Sequence, residues 1–288
     1  MTYFPDYLKT YPNMNTTSPL HISINKLEHG FRPHRHDFLE FSFVFAGSGL
    51  ESINDTTHRM ASGTFTFLLP YQVHEIITDK GSKLQLYNCS FSMDLLMETR
   101  QEQTLLDVLD HSILPPFIQL EGDDLAHMQQ LIEDMYSEYQ SEAPWRELML
   151  QMRLKEILIY FDRYRRKHAN QPIISNQGNK TRAAVWPIIH YIHRHYQDNL
   201  TLAELASTFS LSMSRISEVI KHTTGQTFVH FLHDLRLRHA CSLLISTDLS
   251  VSEIALEVGY GSYTTFSRIF KQSKGIVPKD YRKLKQLS

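Results

Sequence analysis

The 288-residue chain has only two cysteines, Cys89 and Cys241, far apart and in no metal-binding spacing. That excludes a disulfide framework and a thiolate zinc motif, and it fits a reducing cytoplasm. No apolar run approaches the roughly 20 residues needed to span a bilayer, so no membrane partner is expected. The start, "MTYFPDYLKTYPNMNTTSPL", lacks a basic stretch leading into an apolar one, so no signal peptide is expected. Neither GxGxxG nor GxxxxGK spacing occurs, and no nucleophile–base motif stands out. The chain therefore reads as a non-enzyme.

What is present divides the chain. A length of 288 residues favours two domains. The net charge of −2 hides an asymmetry: from Lys180 onward there are 14 basic against 8 acidic side chains, and before it 15 against 23. A basic end behind an acidic front suggests a polyanion partner for the end alone. Residues 1–92 read as short strands, among them "FLEFSFVFAGSG", "GTFTFLLP" and "LQLYNCSF", rich in aromatic and β-branched residues. From 93 to 168 the pattern turns helical, most clearly over 121–142 and 144–168. The polar stretch 169–180, "ANQPIISNQGNK", is the expected linker, and 181–288 reads as helices throughout.

The helical end repeats itself. "LTLAELA" at 200–206 returns as "LSVSEIA" at 249–255, and "ISEVIKHTTG" at 216–225 returns as "FSRIFKQSKG" at 266–275. Each unit opens on a capping box, Thr201-x-x-Glu204 and Ser250-x-x-Glu253. Each closes on a glycine, Gly225 or Gly275, where a left-handed helix cap belongs. Gly259–Gly261 then falls at the turn inside the second unit. Two helix-turn-helix units result, about 200–223 and 249–272. Pointing Ile216, Val219, Ile220 and Phe266, Ile269, Phe270 inward leaves a polar outer face on each second helix. Hydroxyls, Arg215, Arg268, Lys221 and Lys271 on that face suit the major groove and its phosphates. The apolar helix between the units, 228–244, spans about 25 Å and can set the two reading helices about one DNA turn, near 34 Å, apart.

This arrangement resembles the AraC/XylS family of bacterial transcription regulators. The resemblance rests on "LTLAELASTFSLSMSRISEVIKHTTG", "LRLRHACSLLISTDLSVSEIALEVGY" and "TTFSRIFKQSKGIVPKDYRK", and covers about 185–283. It implies that Ser212–Lys221 and Ser262–Gln272 are recognition helices. The DNA-binding residues expected are Ser212, Ser214, Arg215, Ser217, Lys221, Ser262, Thr264, Thr265, Arg268 and Lys271. Two departures bear on which bases are read: Tyr263–Thr264–Thr265, and Arg215 where an aromatic is common in the family. The resemblance also implies promoter or operator DNA, a small-molecule effector such as a sugar, and RNA polymerase as partners, with activation the expected sign.

The front contains His34-x-His36-x3-Glu40, and His74 follows from a separate strand. Like parity on one strand would aim His34, His36, Phe38, Glu40 and Ser42 the same way. Phe41, Phe43 and Phe45 would face oppositely, against helices. The spacing resembles the two cupin motifs, although Tyr71 stands at the usual glycine and the asparagine after the histidine is missing. Three imidazoles and a carboxylate can hold a transition metal, and they can equally line a small-ligand pocket. The expected assignment is effector binding by His34, His36, Phe38, Glu40 and His74, with no cofactor. A metal at His34, His36, Glu40 and His74, in a metal-dependent cupin enzyme with an accessory helical domain, is the alternative. The expected architecture is thus α+β: an N-terminal cupin-like β-barrel, a helical segment that dimerises through 145–166, and a C-terminal all-α double helix-turn-helix.

Overall fold

The computed structural model describes residues 5–8, 10–13, 20–54, 56–97, 114–168 and 185–286. The chain divides into two compact units, the first of strands and three helices, the second of helices alone. The expected linker, 169–180, lies outside the described residues.

In the first unit the strands are β1 (Asp6–Leu8), β2 (Leu20–Leu27), β3 (Phe31–His36), β4 (Leu39–Ala46), β5 (Gly49–Ile53), β6 (Thr56–Met60), β7 (Thr64–Leu68), β8 (His74–Thr78), β9 (Leu84–Phe91) and β10 (Phe117–Gln119). The expected barrel takes the form of two facing five-stranded sheets, ordered β1-β3-β8-β5-β6 and β10-β7-β4-β9-β2. Both faces of the second sheet are covered, so β4 and β7 read as near-continuous buried runs rather than alternating ones. One face carries Phe41, Phe43, Phe65 and Phe67 toward helix, where Phe65 lies 5.0 Å ring to ring from Phe161. The other face meets the first sheet. There Val44, Leu84 and Leu86 pack with Met60 and Ile76 in an apolar layer that closes one end of the interior.

The helices of this unit are α1 (Asp94–Met97), α2 (Gly122–Gln140) and α3 (Arg146–Lys167). The pattern predicts helix over 93–168, but among the described residues β10 interrupts that span and pairs antiparallel with β7, Ile118 opposite Phe65. Pro115 and Pro116 explain the difference, because two prolines ahead of "FIQL" bar a helix and favour extended backbone. The α3 helix buries Leu150, Leu154, Ile157, Leu158 and Phe161 against the sheet. Its opposite side leaves Trp145, Leu148, Met152 and Ile159 exposed.

The second unit holds α4 (Val185–Arg194), α5 (Leu202–Thr208), α6 (Met213–Thr224), α7 (Phe228–Ser246), α8 (Val251–Glu257), α9 (Tyr263–Lys274) and α10 (Pro278–Gln286). Five of these begin on a hydroxyl side chain that accepts a backbone N–H three residues on: Thr201, Ser212, Thr227, Ser250 and Ser262. Each such cap is worth about 1 kcal/mol. Ser250 completes a capping box with Glu253, whose carboxylate accepts the Ser250 N–H at 2.7 Å. Gly225 and Gly275 end α6 and α9 in the left-handed region, at φ 77° and 78°. Phe266 and Phe270 of α9 sink among Leu237, Cys241 and Leu244 of α7, Ile254 of α8 and Val258 just after it. Burying each ring contributes about 1.5–3 kcal/mol.

Two arginines tie this unit together. Arg236 of α7, largely buried, donates from Nε to the Tyr196 carbonyl at 2.7 Å and from an Nη to the Asp198 carbonyl at 2.8 Å. Its guanidinium also lies over the Tyr260 ring, 5.5 Å from the centroid. Arg282 of α10 donates to the Leu244 and Leu249 carbonyls, closing the far end of α7.

The turns inside the two helix-turn-helix units need one left-handed residue each. Ser210 takes it in the first at φ 52°, and Gly259 in the second at φ 87°. At Gly259 a side chain meets a second obstacle, since an added Cβ would stand 2.5 Å from the Gln197 carbonyl oxygen. Gly259→Ala should therefore cost about 2–3 kcal/mol. Ser210→Gly should be neutral or stabilising by up to about 1 kcal/mol, because it only relieves a left-handed serine. Urea unfolding of a 181–288 fragment checks both, and equal effects would contradict the close approach.

Candidate effector pocket and nucleic-acid interface

Between the two sheets, beyond the apolar layer, the interior is polar. β3 and β8 pair with His34 directly opposite His74, and His36 follows on the same face. The imidazole centroids lie 3.9 Å apart for His34–His74, 5.2 Å for His36–His74 and 6.1 Å for His34–His36. All three side chains are buried. Two strands stand where like parity along one strand was expected: the chain leaves β3 at His36, turns through Asp37 and Phe38, and enters the other sheet. Glu40 and Ser42 therefore face the histidines from across the interior. Glu40 Oε2 sits 3.8 Å from His36 Nε2 and accepts from the Ser90 hydroxyl at 3.4 Å. Phe38 stacks on the His36 ring at 4.2 Å, with Tyr11 edge-on to its other side at 4.9 Å.

A second carboxylate went unnoticed in the sequence. Glu51 of β5 is 1% exposed. It accepts from Thr66 of the opposite sheet at 2.9 Å, and it lies 3.3 Å from His58 Nε2 and 3.6 Å from His74 Nδ1. The signal was there: Glu51 shares its parity with Gly49 and Ile53, and His58 shares its own with Met60, so charged groups occupy the inward face of two short strands.

The two carboxylates are electrostatically opposite. Burial pushes Glu40 above the usual carboxylate range, and the nearby His74 only partly offsets it. Burial also acts to raise Glu51, but the adjacent His58 and His74 imidazoles outweigh it and hold the carboxyl down at about 2. Burial lowers His34 to about 4 and His36 well below its ordinary value, so both rings are neutral at neutral pH. Several polar atoms in this interior have no hydrogen-bond partner in the protein: His36 Nε2, both ring nitrogens of His74, and Ser42 Oγ. Each such buried group costs about 1–3 kcal/mol, so the site is built to be completed from outside.

In the second unit, α6 and α9 turn Ile216, Val219, Ile220, Phe266 and Phe270 inward. Ser214, Lys221, Thr264, Thr265, Arg268 and Lys271 are exposed, while Ser217 and Arg215 are partly covered. Ser212 and Ser262 sit at the helix N-termini with their oxygens engaged as caps. The two arginines differ. Arg215 is paired within its helix to Glu218 at 2.7 Å, whereas Arg268 stands on an exposed, uniformly polar face between Thr264 and Lys271.

A closed polar interior in one unit and two matched helix-turn-helix hairpins in the other define a ligand-responsive, DNA-binding transcription regulator. Residues 20–158 match the sequence model of the AraC-like ligand binding domain, and residues 205–284 match that of a helix-turn-helix domain. The chain belongs to the AraC family. It is 23% identical over 265 residues to the HTH-type transcriptional activator RhaR of Mannheimia succiniciproducens, covering 92% of each chain. It is 22% identical to RhaR of Yersinia pestis, covering 96% of this chain and 91% of that one. Among solved structures, ToxT from Vibrio cholerae is similar at 12% identity, TM-score 0.41, over 92% of this chain and 98% of that chain. The C-terminal domain of AraT from Geobacillus stearothermophilus matches at 36% identity, TM-score 0.34, over 35% of this chain and 84% of that one.

The contrast between the carboxylates is testable. Glu51→Gln removes the charge that holds two imidazoles and should destabilise the first unit by about 1–3 kcal/mol. Glu40→Gln replaces a carboxylate whose ionised form is disfavoured by burial, and should be neutral or slightly stabilising. Urea denaturation of each variant at neutral pH measures this; the reverse order would overturn the assignment.

Proposed function

We propose that this chain activates transcription when a small polar effector enters between the two sheets of its first unit. The names of its relatives support the activating sign, and the family's mode of action supports contact with RNA polymerase and action in the cytoplasm. Among the described residues no helix is long and apolar enough to cross a membrane. In this reading His34, His36, Phe38, Glu40 and His74 contact the effector, and Glu51 and His58 hold His74 in place from behind. A polyhydroxy compound such as a sugar suits a site with this mixture of neutral imidazole, carboxyl and stacked aromatic surface.

The observation that carries the DNA-binding part is the pairing of α6 and α9. Two helices of equal length and matching caps each present an arginine and, nine residues from the N-cap, a lysine outward. The helix between them, α7, is 19 residues, about 28 Å long, so each protomer grips two successive major grooves. Arg268, Thr264 and Ser214 read bases, while Lys221 and Lys271 meet phosphates. Ser212 and Ser262 act by capping the reading helices. Arg215 enters the groove only by giving up its pair with Glu218, worth about 0.2–1 kcal/mol.

A binding selection from a randomised operator tests this. Arg268→Ala should weaken specific binding about tenfold or more and relax preference at one base position, since a bidentate guanine contact is worth about 1–3 kcal/mol. Arg215→Ala should act at a position about one helical turn away, with a smaller loss. Relaxation at the same position by both variants, or no change with either, would refute the two-groove reading.

The same reading makes the protein a dimer through 145–166. Trp145, Leu148 and Met152 are 78%, 52% and 56% exposed and share one side of α3. Introducing Met152→Glu should convert the protein to monomers in analytical ultracentrifugation and weaken binding to a two-site operator at least tenfold, by loss of tethering. A dimer that survives unchanged would remove α3 from the interface.

A further inference from the structure

The polar outer faces of α6 and α9 are broken by a large apolar side chain at the same position in each. Met213 is 55% exposed and Tyr263 is 47% exposed, and each is the first residue of its helix. They stand 50 residues apart, the offset at which the second helices of the two hairpins repeat. One exposed apolar side chain is ordinary on a protein surface; its return at the matching place in both hairpins is not. The core does not use either residue, since Ile216, Val219 and Ile220 fill the inward positions of α6 and Phe266 and Phe270 those of α9. The local geometry aims both side chains forward. The Ser212 and Ser262 hydroxyls turn back into their helices to accept the backbone N–H of Arg215 and Thr265. Side chains of an α-helix tilt toward its N-terminus, so the first residue projects past the cap. In a helix-turn-helix that end of the second helix is the one that meets base edges.

We propose that Met213 and Tyr263 each select a thymine in the operator, by covering its C5-methyl group in the major groove. The inference rests on the DNA-binding reading above and adds the base that each hairpin reads through apolar contact. Guanine, adenine and cytosine are told apart in the major groove by hydrogen-bond donors and acceptors, and only thymine adds an apolar group there. A thioether has nothing to offer a phosphate or a polar base edge, whereas it packs readily on a methyl. The Tyr263 ring gives a flat apolar surface to the same end. The two contacts differ in shape: Met213 is unbranched and adapts to its neighbour, while Tyr263 is rigid and tolerates less displacement. Each hairpin then combines two kinds of readout, polar from the middle of its helix and apolar from the first residue. The thymines fall one in each half of the site, because the two residues occupy equivalent positions in the two hairpins.

The test starts from an operator that the full-length protein selects out of a randomised pool. Each thymine is then replaced in turn by deoxyuridine, which pairs in the same way and lacks only the methyl. For the parent protein, one replacement in each half of the site, about one helical turn apart, should weaken binding about three- to tenfold, as burial of one methyl-sized group implies. Met213→Ala should abolish the sensitivity at one of these thymines and keep it at the other. Tyr263→Ala should do the reverse. Tyr263→Phe should keep both, since the ring and not the hydroxyl covers the methyl. Circular dichroism confirms that each variant is folded. An operator that tolerates every deoxyuridine overturns the proposal while leaving DNA binding standing, and so do alanine variants whose sensitivities match the parent's. Loss of sensitivity in Tyr263→Phe overturns the assignment at Tyr263. Failure of the full-length protein to select any operator would instead overturn the DNA-binding reading, and this proposal with it.

Discussion

A charge taken out of water must find its partners already in place, and both units of this protein are organised around that demand. In the first, Glu51 is held by His58 and His74 on its own sheet and by Thr66 on the facing one. The bond to Thr66 crosses the interior and sets how the two sheets meet. In the second, Arg236 is met by two backbone carbonyls and an aromatic face, so α7 cannot shift without stranding a guanidinium. Removing one partner from a buried ionic arrangement costs far more than an exposed pair is worth, and this asymmetry makes both groups structural anchors.

From these anchors the functional surfaces follow. With Glu51 fixed, His74 is fixed, and His34 lies opposite it in register. The apolar layer of Met60, Ile76 and Leu84 seals one end, so the unsatisfied groups gather at the other. With Arg236 fixed, α7 becomes the spacer between two hairpins that differ in detail. The first has Arg215 restrained by Glu218 and its turn closed by a left-handed serine. The second has Arg268 on an open face and a glycine wedged against Gln197. The two hairpins are repeats in sequence but unequal in structure, with the arginine of the second on the more open face.

Periodicity carried far into this chain. The repeat at offset 49–50, the capping hydroxyls and the terminal glycines located the hairpins α5–α6 and α8–α9, because those signals are local and each has one structural meaning. The histidines were legible as a group, yet the reasoning that joined His36 to Glu40 along one strand missed the crossing between sheets at Asp37–Phe38. Glu51 and His58 were missed because a lone acidic or imidazole side chain in a five-residue strand looks solvated until its neighbours' parity is counted. β10 was overlooked since three residues between prolines and a helix carry almost no periodic signal. Arg236 carried no signal in the sequence, and only tertiary packing turns its guanidinium inward.

The central claim is that one chain presents two reading helices to one face of DNA. Hydroxyl-radical footprinting of a 181–288 fragment on its selected operator measures this directly. The account predicts two protected stretches on the same face, about one helical turn apart, for each bound fragment. A single protected stretch would contradict it.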